Sequence, residues 1–231
     1  MLILGLQKTT LLDYPGHIAS TIFTGGCNFR CPYCHNGDLV LNPAACESIS
    51  EETIFEHLNK RRGTLEGVCI TGGEPTLQPD LIDFISKIKS IGLLVKLDTN
   101  GTNPKVIEEL LQRNLIDYIA MDIKHCPNKY NEVACMPSFS LDSIRQSVSI
   151  IMNSHIDYEF RSTVTSELHS DEDIMEIGEW LKGARAYYLQ AYRESDNVIN
   201  PIFSAPSKDK LLTWKNILEP LIHHVDIRGV D

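Results

Sequence analysis

The chain has 231 residues, with 21 Lys and Arg against 31 Asp and Glu, for a formal net charge of −10. That balance argues against duplex nucleic acid as a partner, because backbone binding depends on neutralising phosphates with basic side chains. Hydrophobic residues at 42% and charged residues at 23% suit a folded domain, and no stretch approaches the roughly 20 apolar residues of a membrane span.

The opening MLILGLQKTTLLDYPGHI lacks a basic leader and a small-residue cleavage site. A cytoplasmic location follows as an expectation, with thiols kept reduced. Seven cysteines is an odd number, so complete internal disulfide pairing is impossible. The chain reads as a single domain over 1–231. Residues 1–17 form an N-terminal extension, 25–36 a cysteine loop, and 193–231 a C-terminal segment packing on the core.

In chain order, residues 18–24 predict a strand ending at the cysteine loop. Ser50 predicts an N-cap for a helix to about 61, with Ile54, Phe55 and Leu58 on one stripe. A short strand over 68–71 breaks at Gly72-Gly73-Glu74-Pro75, and a helix over 80–91 stops at Gly92. Strand 93–98, a turn at 99–101 and helix 104–113 repeat the unit. Strand 118–124, a long loop over 125–139 and helix 142–153 follow. Next come strand 156–164, helix 171–182 and a sixth strand over 186–190. A polar irregular stretch runs from 193 to 209, then a helix near 214–222 and a last short strand at 225–227.

Six strands alternating with helices predict a parallel β/α fold. An open doubly wound sheet and a barrel both fit the alternation. Polar residues gather at the C-terminal ends of the strands, where barrel active sites lie. Six units fall short of eight, so the expected fold is α/β, a partial (β/α)6 TIM-like barrel.

The stretch CNFRCPYCHN places Cys27, Cys31 and Cys34 as C-x3-C-x2-C behind Gly25-Gly26. Structural zinc sites usually take four ligands in two separated pairs, and no second pair exists here. His35 adjoins Cys34, so the two would struggle to face one ion, and Cys46 lies beyond Pro43. An iron–sulfur cubane takes four thiolates; with three, one iron is left for a small chelating molecule. Zinc and cluster both remain open on spacing alone.

CNFRCPYC resembles the cluster motif of the radical S-adenosylmethionine superfamily. The resemblance implies that Cys27, Cys31 and Cys34 hold three irons of a [4Fe–4S] cluster, with the cofactor's amino and carboxylate groups on the fourth. Tyr33 stands where that superfamily has an aromatic residue, and Thr71-Gly-Gly-Glu-Pro75 resembles its Gly-Gly-Glu segment. By the same resemblance Gly72, Gly73 and Glu74 meet the methionyl amino group, and His35 is a polar neighbour of the cluster rather than a fourth ligand. The barrel is accordingly expected to be of the radical SAM type.

Leu97-Asp98-Thr99-Asn100-Gly101 and Met121-Asp122-Ile123-Lys124 resemble strand ends of the glycyl-radical-enzyme activases. There the two aspartates frame a monovalent cation beside the cofactor, and the lysine lies against it. Two carboxylates at one mouth repel and call for a cation or a lysine. Asp98, Asn100, Asp122, Ile123, Lys124, Arg161 and Gln190 are therefore expected around the cofactor.

Gly5 to Gly16, ending in DYPG, is similar to the start of activating proteins for anaerobic ribonucleoside-triphosphate reductase. The resemblance covers essentially the whole chain. It implies abstraction of a glycine Cα hydrogen from that reductase, with a one-electron donor such as flavodoxin or ferredoxin. Ser166-Glu167 and His125-Cys126 depart from the pattern and leave the partner open. Alternatives are a radical enzyme acting on another glycyl radical enzyme, a peptide or a modified-base precursor, and a non-catalytic metal-binding scaffold. Cys46, Cys69, Cys126 and Cys135 are assigned structural places.

Overall fold

The computed structural model describes residues 1–136 and 140–230. One eight-stranded sheet runs in sequence order through β1 (Ile3–Thr10), β2 (Ala19–Thr24), β3 (Gly67–Gly72), β4 (Leu94–Thr99), β5 (Tyr118–Asp122), β6 (Asp157–Val164), β7 (Tyr187–Ala191) and β8 (Val225–Arg228). β1 pairs antiparallel with β2; every later neighbour is parallel. Because β1 and β8 are the two ends of that order, the barrel is left incomplete.

Eight α-helices are described: α1 (Gly37–Leu41), α2 (Glu51–Lys60), α3 (Leu81–Ile91), α4 (Pro104–Gln112), α5 (Tyr130–Ala134), α6 (Leu141–Met152), α7 (Asp171–Trp180) and α8 (Lys208–Leu218). Their local chemistry accounts for several boundaries. Ser50 accepts the Thr53 N–H at 3.1 Å and starts α2. Ser170 and Asp173 form a reciprocal capping box on α7. Gly92 adopts the left-handed conformation that ends α3. Leu81, Phe84, Ile85 and Ile88 recur at helical spacing and are all buried against the sheet.

Strand interiors such as Val68-Cys69-Ile70 are fully buried on both faces, as a parallel sheet covered by helices requires. β8 is fixed by a bidentate pair: Arg228 donates to both oxygens of buried Glu159 at 2.6 and 2.8 Å. The Arg228 guanidinium also lies 3.4 Å over the Tyr188 ring.

Four regions differ from the sequence reading. Residues 3–10, read as part of an extension, form β1, whose side chains alternate poorly between buried and exposed, so its pairing rests on the backbone. The loop over 125–139 contains a 3-10 turn (Pro127–Lys129) and α5, while residues 137–139 lie outside the described residues. The last helix starts at Lys208, capped by Ser207, inside the stretch read as irregular, and ends at Leu218. α1 was not expected; it is a short helix directly behind the cysteine loop.

Candidate active site

The C-terminal ends of β2 to β7 surround a cavity of about 450 Å³. Cys27, Cys31, Tyr33, Cys34, His35, Gly72, Gly73, Glu74, Asp98, Asn100, Asp122, Lys124, Arg161 and Gln190 all line it. Ile123 does not. Successive strand residues face opposite sides, so with Asp122 and Lys124 turned inward Ile123 packs, fully buried, in the core behind them.

The cysteine loop is held largely by backbone hydrogen bonds. Gly73 donates to Thr24 O and Glu74 to Gly26 O, both at 2.8 Å. Asn36 donates through Nδ2 to Gly72 O at 2.9 Å. From the far end of the chain, Ile199 donates to Cys34 O at 3.2 Å and Asn200 to Pro32 O at 2.8 Å. The paired glycines are thus required by contact between two loops. A β-carbon on Gly72 would stand 2.4 Å from Thr24 N, at a φ of +113° that disfavours side chains.

Burial pushes the Cys27 thiol up to about 11 and the Cys31 thiol up to about 12. At neutral pH both keep their protons until a metal displaces them. The donor set fits an iron–sulfur cluster better than zinc. Among the described residues, the three loop thiols do not all lie within 4.8 Å of one another, as donors sharing one ion would. Thiolates on a tetrahedral zinc stand about 3.8 Å apart, given Zn–S bonds of about 2.3 Å. The fourth-ligand candidates are turned elsewhere: His35 Nε2 lies 2.5 Å from Arg193 O, and Cys46 Sγ faces the carbonyls of Asp38 and Asn42.

Glu74, 1% exposed, has its carboxylate fully engaged by the chain. It accepts from Thr76 N at 3.0 Å, Thr76 Oγ1 at 2.6 Å, Thr99 Oγ1 at 2.8 Å and Asn100 N at 2.6 Å. Burial raises its pKa despite these four donors. Its role here is to fasten the end of β3 to the end of β4. Asn100 in turn donates to Asn28 Oδ1 at 2.9 Å, tying β4 to the cysteine loop.

Beneath the loop lies a charge network. Arg161 bridges the two aspartates, donating through Nη2 to Asp98 Oδ2 at 2.9 Å and through Nε to Asp122 Oδ1 at 2.6 Å. Lys124 donates to Asp122 Oδ2 at 3.0 Å, and Lys96 donates to Asp98 Oδ1. Burial opposes the charge on Asp122, but Arg161 and Lys124 outweigh it and hold the carboxyl well below the usual range. Arg161 and Lys96 likewise keep Asp98 low. All four carboxylate oxygens thus have cationic donors from the chain, and this set does not fit the monovalent cation that the resemblance implies.

The remaining cysteines do not line this cavity. Cys69 is buried beside Asp98 Oδ1 at 3.7 Å, Cys126 is buried and Cys135 exposed. His125, Cys126 and Asp173 cluster within 4.8 Å, yet their lone pairs are in use. His125 Nδ1 accepts the Cys126 N–H at 2.9 Å, and Asp173 Oδ1 pairs with Lys129 at 2.8 Å.

The sequence reading missed Asp13, Phe29, Val40, Thr71, Thr99 and Thr163 as lining residues. Asp13 had a signal, since it opens the DYPG stretch; Thr71, Thr99 and Thr163 lie on strands whose facing is set only by register, Phe29 lies in the cysteine loop and Val40 on α1. A second cavity of about 650 Å³ adjoins the first between the β1–β2 turn and β8, sharing Asp13, Asp98, Arg161 and Gln190. Leu11 and Leu12, 70% and 90% exposed, line it too.

Comparison with known proteins agrees with this geometry. Residues 21–182 match the Radical SAM superfamily. Over its whole length the chain is 32% identical to a putative glycyl-radical enzyme activating enzyme of Methanocaldococcus jannaschii, covering 97% of that protein. It is 34% identical over 52% of its length to the pyruvate formate-lyase-activating enzyme of Clostridium pasteurianum, covering 51% of that protein. Among solved structures, Streptococcus suis SuiB bound to the precursor peptide SuiA superposes with a TM-score of 0.72 at 15% identity, over 90% of this chain and 48% of SuiB. Escherichia coli QueE gives 0.57 at 16% identity, over 99% of this chain and 94% of QueE. These two show the fold, and this chain spans about half the length of SuiB. By sequence the chain belongs to the radical SAM superfamily, among its glycyl-radical-enzyme activating enzymes.

Proposed function

We propose that Cys27, Cys31 and Cys34 hold a [4Fe–4S] cluster whose fourth iron takes S-adenosylmethionine, and that the chain activates anaerobic ribonucleoside-triphosphate reductase at a C-terminal glycine. One observation carries the site assignment: Cys27, Cys31 and Cys34 face a single charged cavity, while the fourth-ligand candidates His35 and Cys46 are engaged by backbone carbonyls. When bound, the cluster and cofactor supply one-electron cleavage of the sulfonium and the deoxyadenosyl radical that takes the glycine Cα hydrogen.

The chain supplies placement. Lys124 and Arg161 bring positive charge to the mouth and favour the cofactor carboxylate there. Tyr33 and Phe29, both nearly fully buried, give the thiols an apolar surround that keeps water away. Glu74 orients the Gly72-Gly73 backbone rather than meeting the ligand through its carboxylate. The side opening lined by Leu11 and Leu12 would admit a partner loop. A flavodoxin or ferredoxin would deliver the electron, in the cytoplasm; no helix among the described residues is long and apolar enough to cross a membrane.

The DYPG start favours the reductase, while similarity to pyruvate formate-lyase activases over half the chain supports a second reading in which another glycyl radical enzyme is activated. Anaerobic reconstitution with iron and sulfide, then reductant, S-adenosylmethionine and each candidate partner, separates them by electron paramagnetic resonance. A glycyl doublet on the reductase supports the first reading, and a doublet only on another partner replaces it. A Cys31→Ala protein that keeps a full cluster and cleaves cofactor would overturn the site assignment.

A further inference from the structure

The aspartate pair raises a question of charge. Two carboxylates face three cations, Lys96, Lys124 and Arg161, so the group carries one surplus positive charge before any ligand arrives. A bound alkali-metal ion would add a second. It would also have to share oxygens that already accept from ammonium or guanidinium groups, whereas such ions need several oxygen donors of their own.

Lys96 is the unexpected member. It lies mid-strand in β4, two residues before Asp98 and on the same face. Only 2% of it is exposed. Its ammonium meets the Asp98 carboxylate, lies 3.8 Å from Cys69 Sγ and sits 5.8 Å from the centroid of the Tyr118 ring. Such depth is costly for a lysine unless its charge is used. Among the described residues its one ion-pair partner is Asp98, so the charge is spent on this one carboxylate.

We propose that Lys96 stands in for a bound monovalent cation beside Asp98, so that the site's charge balance is built into the chain and S-adenosylmethionine binding needs no alkali-metal ion. This rests on the reading that the cofactor docks at this mouth. Lys96 acts through Asp98 and Arg161, as a positioning residue. The surplus charge then remains for the single carboxylate of the cofactor.

The test compares the reconstituted wild type with Lys96→Met and Lys96→Arg in choline, sodium and potassium chloride at equal ionic strength. Cofactor affinity is measured by equilibrium dialysis, and melting temperature is followed on cluster-free protein. Wild type and Lys96→Arg are expected to bind within about twofold across the three salts. Lys96→Met should bind at least tenfold more weakly in choline and recover in potassium or sodium, with a parallel rise in melting temperature. A wild type that loses more than about threefold affinity in choline overturns the proposal, as does a Lys96→Met protein indifferent to the salt. If Lys96→Met does not fold, Lys96→Gln takes its place, and the wild-type comparison decides on its own. Absence of cofactor binding in every salt overturns the functional reading and this inference together, whereas binding that requires potassium overturns only this one.

Discussion

Gly73 meets Gly26 so closely that a β-carbon on Gly73 would stand 1.9 Å from the Gly26 carbonyl oxygen. The obstacle is backbone on both sides, so neither loop can yield by turning a side chain. We predict that Gly73→Ala displaces the cysteine loop, destabilises the protein by about 1–3 kcal/mol and lowers iron content after reconstitution. Unchanged iron content and unchanged melting would refute the idea that this contact sets the loop.

Arg161 pairs with both aspartates of the network. Replacing it with Met leaves two largely buried carboxylates with one lysine each. The expected loss is about 3–5 kcal/mol, the usual cost of breaking a buried ion pair from one side. Urea unfolding at neutral pH measures it; a loss below 1 kcal/mol would mean that the two lysines suffice.

His169 is buried and stacked on His125, with ring centroids 4.8 Å apart. Burial, then the neighbouring His125 ring, lowers its pKa to about 3. The folded pKa lies below the unfolded value of about 6.5, so the unfolded chain binds the proton first. Stability from this group is therefore present above pH 6.5 and lost as the pH falls toward 3, at about 1.4 kcal/mol per pH unit. Chemical denaturation between pH 7 and 4 should show this slope in the wild type and less of it in His169→Gln. Equal slopes in the two proteins would exclude His169 as the source.

Cys135 ends α5 in the left-handed region, at a φ of +49°, where a side chain is strained. Cys135→Gly should stabilise the fold by about 0.5–1 kcal/mol and leave the iron load untouched, since the thiol is exposed and does not line the cavity. A lower iron content in that variant would show instead that Cys135 takes part in metal binding.

Much of the site was legible because strand ends advertise themselves. An apolar run followed by Gly-Gly-Glu, Asp-Thr-Asn or Asp-Ile-Lys marks where β3, β4 and β5 reach the mouth. Alternation also tells why Ile123 cannot share a face with Asp122, a step that the motif alone obscures. Other features were not legible. Lys96 looks like any polar break in an apolar strand until its register places it over Asp98. The carboxylate of Glu74 could have faced a ligand or its own turn, and only the positions of Thr76, Thr99 and Asn100 decide that. β1 has no clear periodic signature because a backbone ladder needs none.

Residues 199 and 200 complete the backbone bonding of Pro32 and Cys34. During synthesis, the ribosome emits the cysteine loop more than 160 residues before those partners. Until then the carbonyls of Pro32 and Cys34 lack these chain partners, which come from the irregular segment between β7 and α8. A chain that ended before residue 199 would therefore carry all three loop cysteines without the two backbone bonds that close the loop at Pro32 and Cys34.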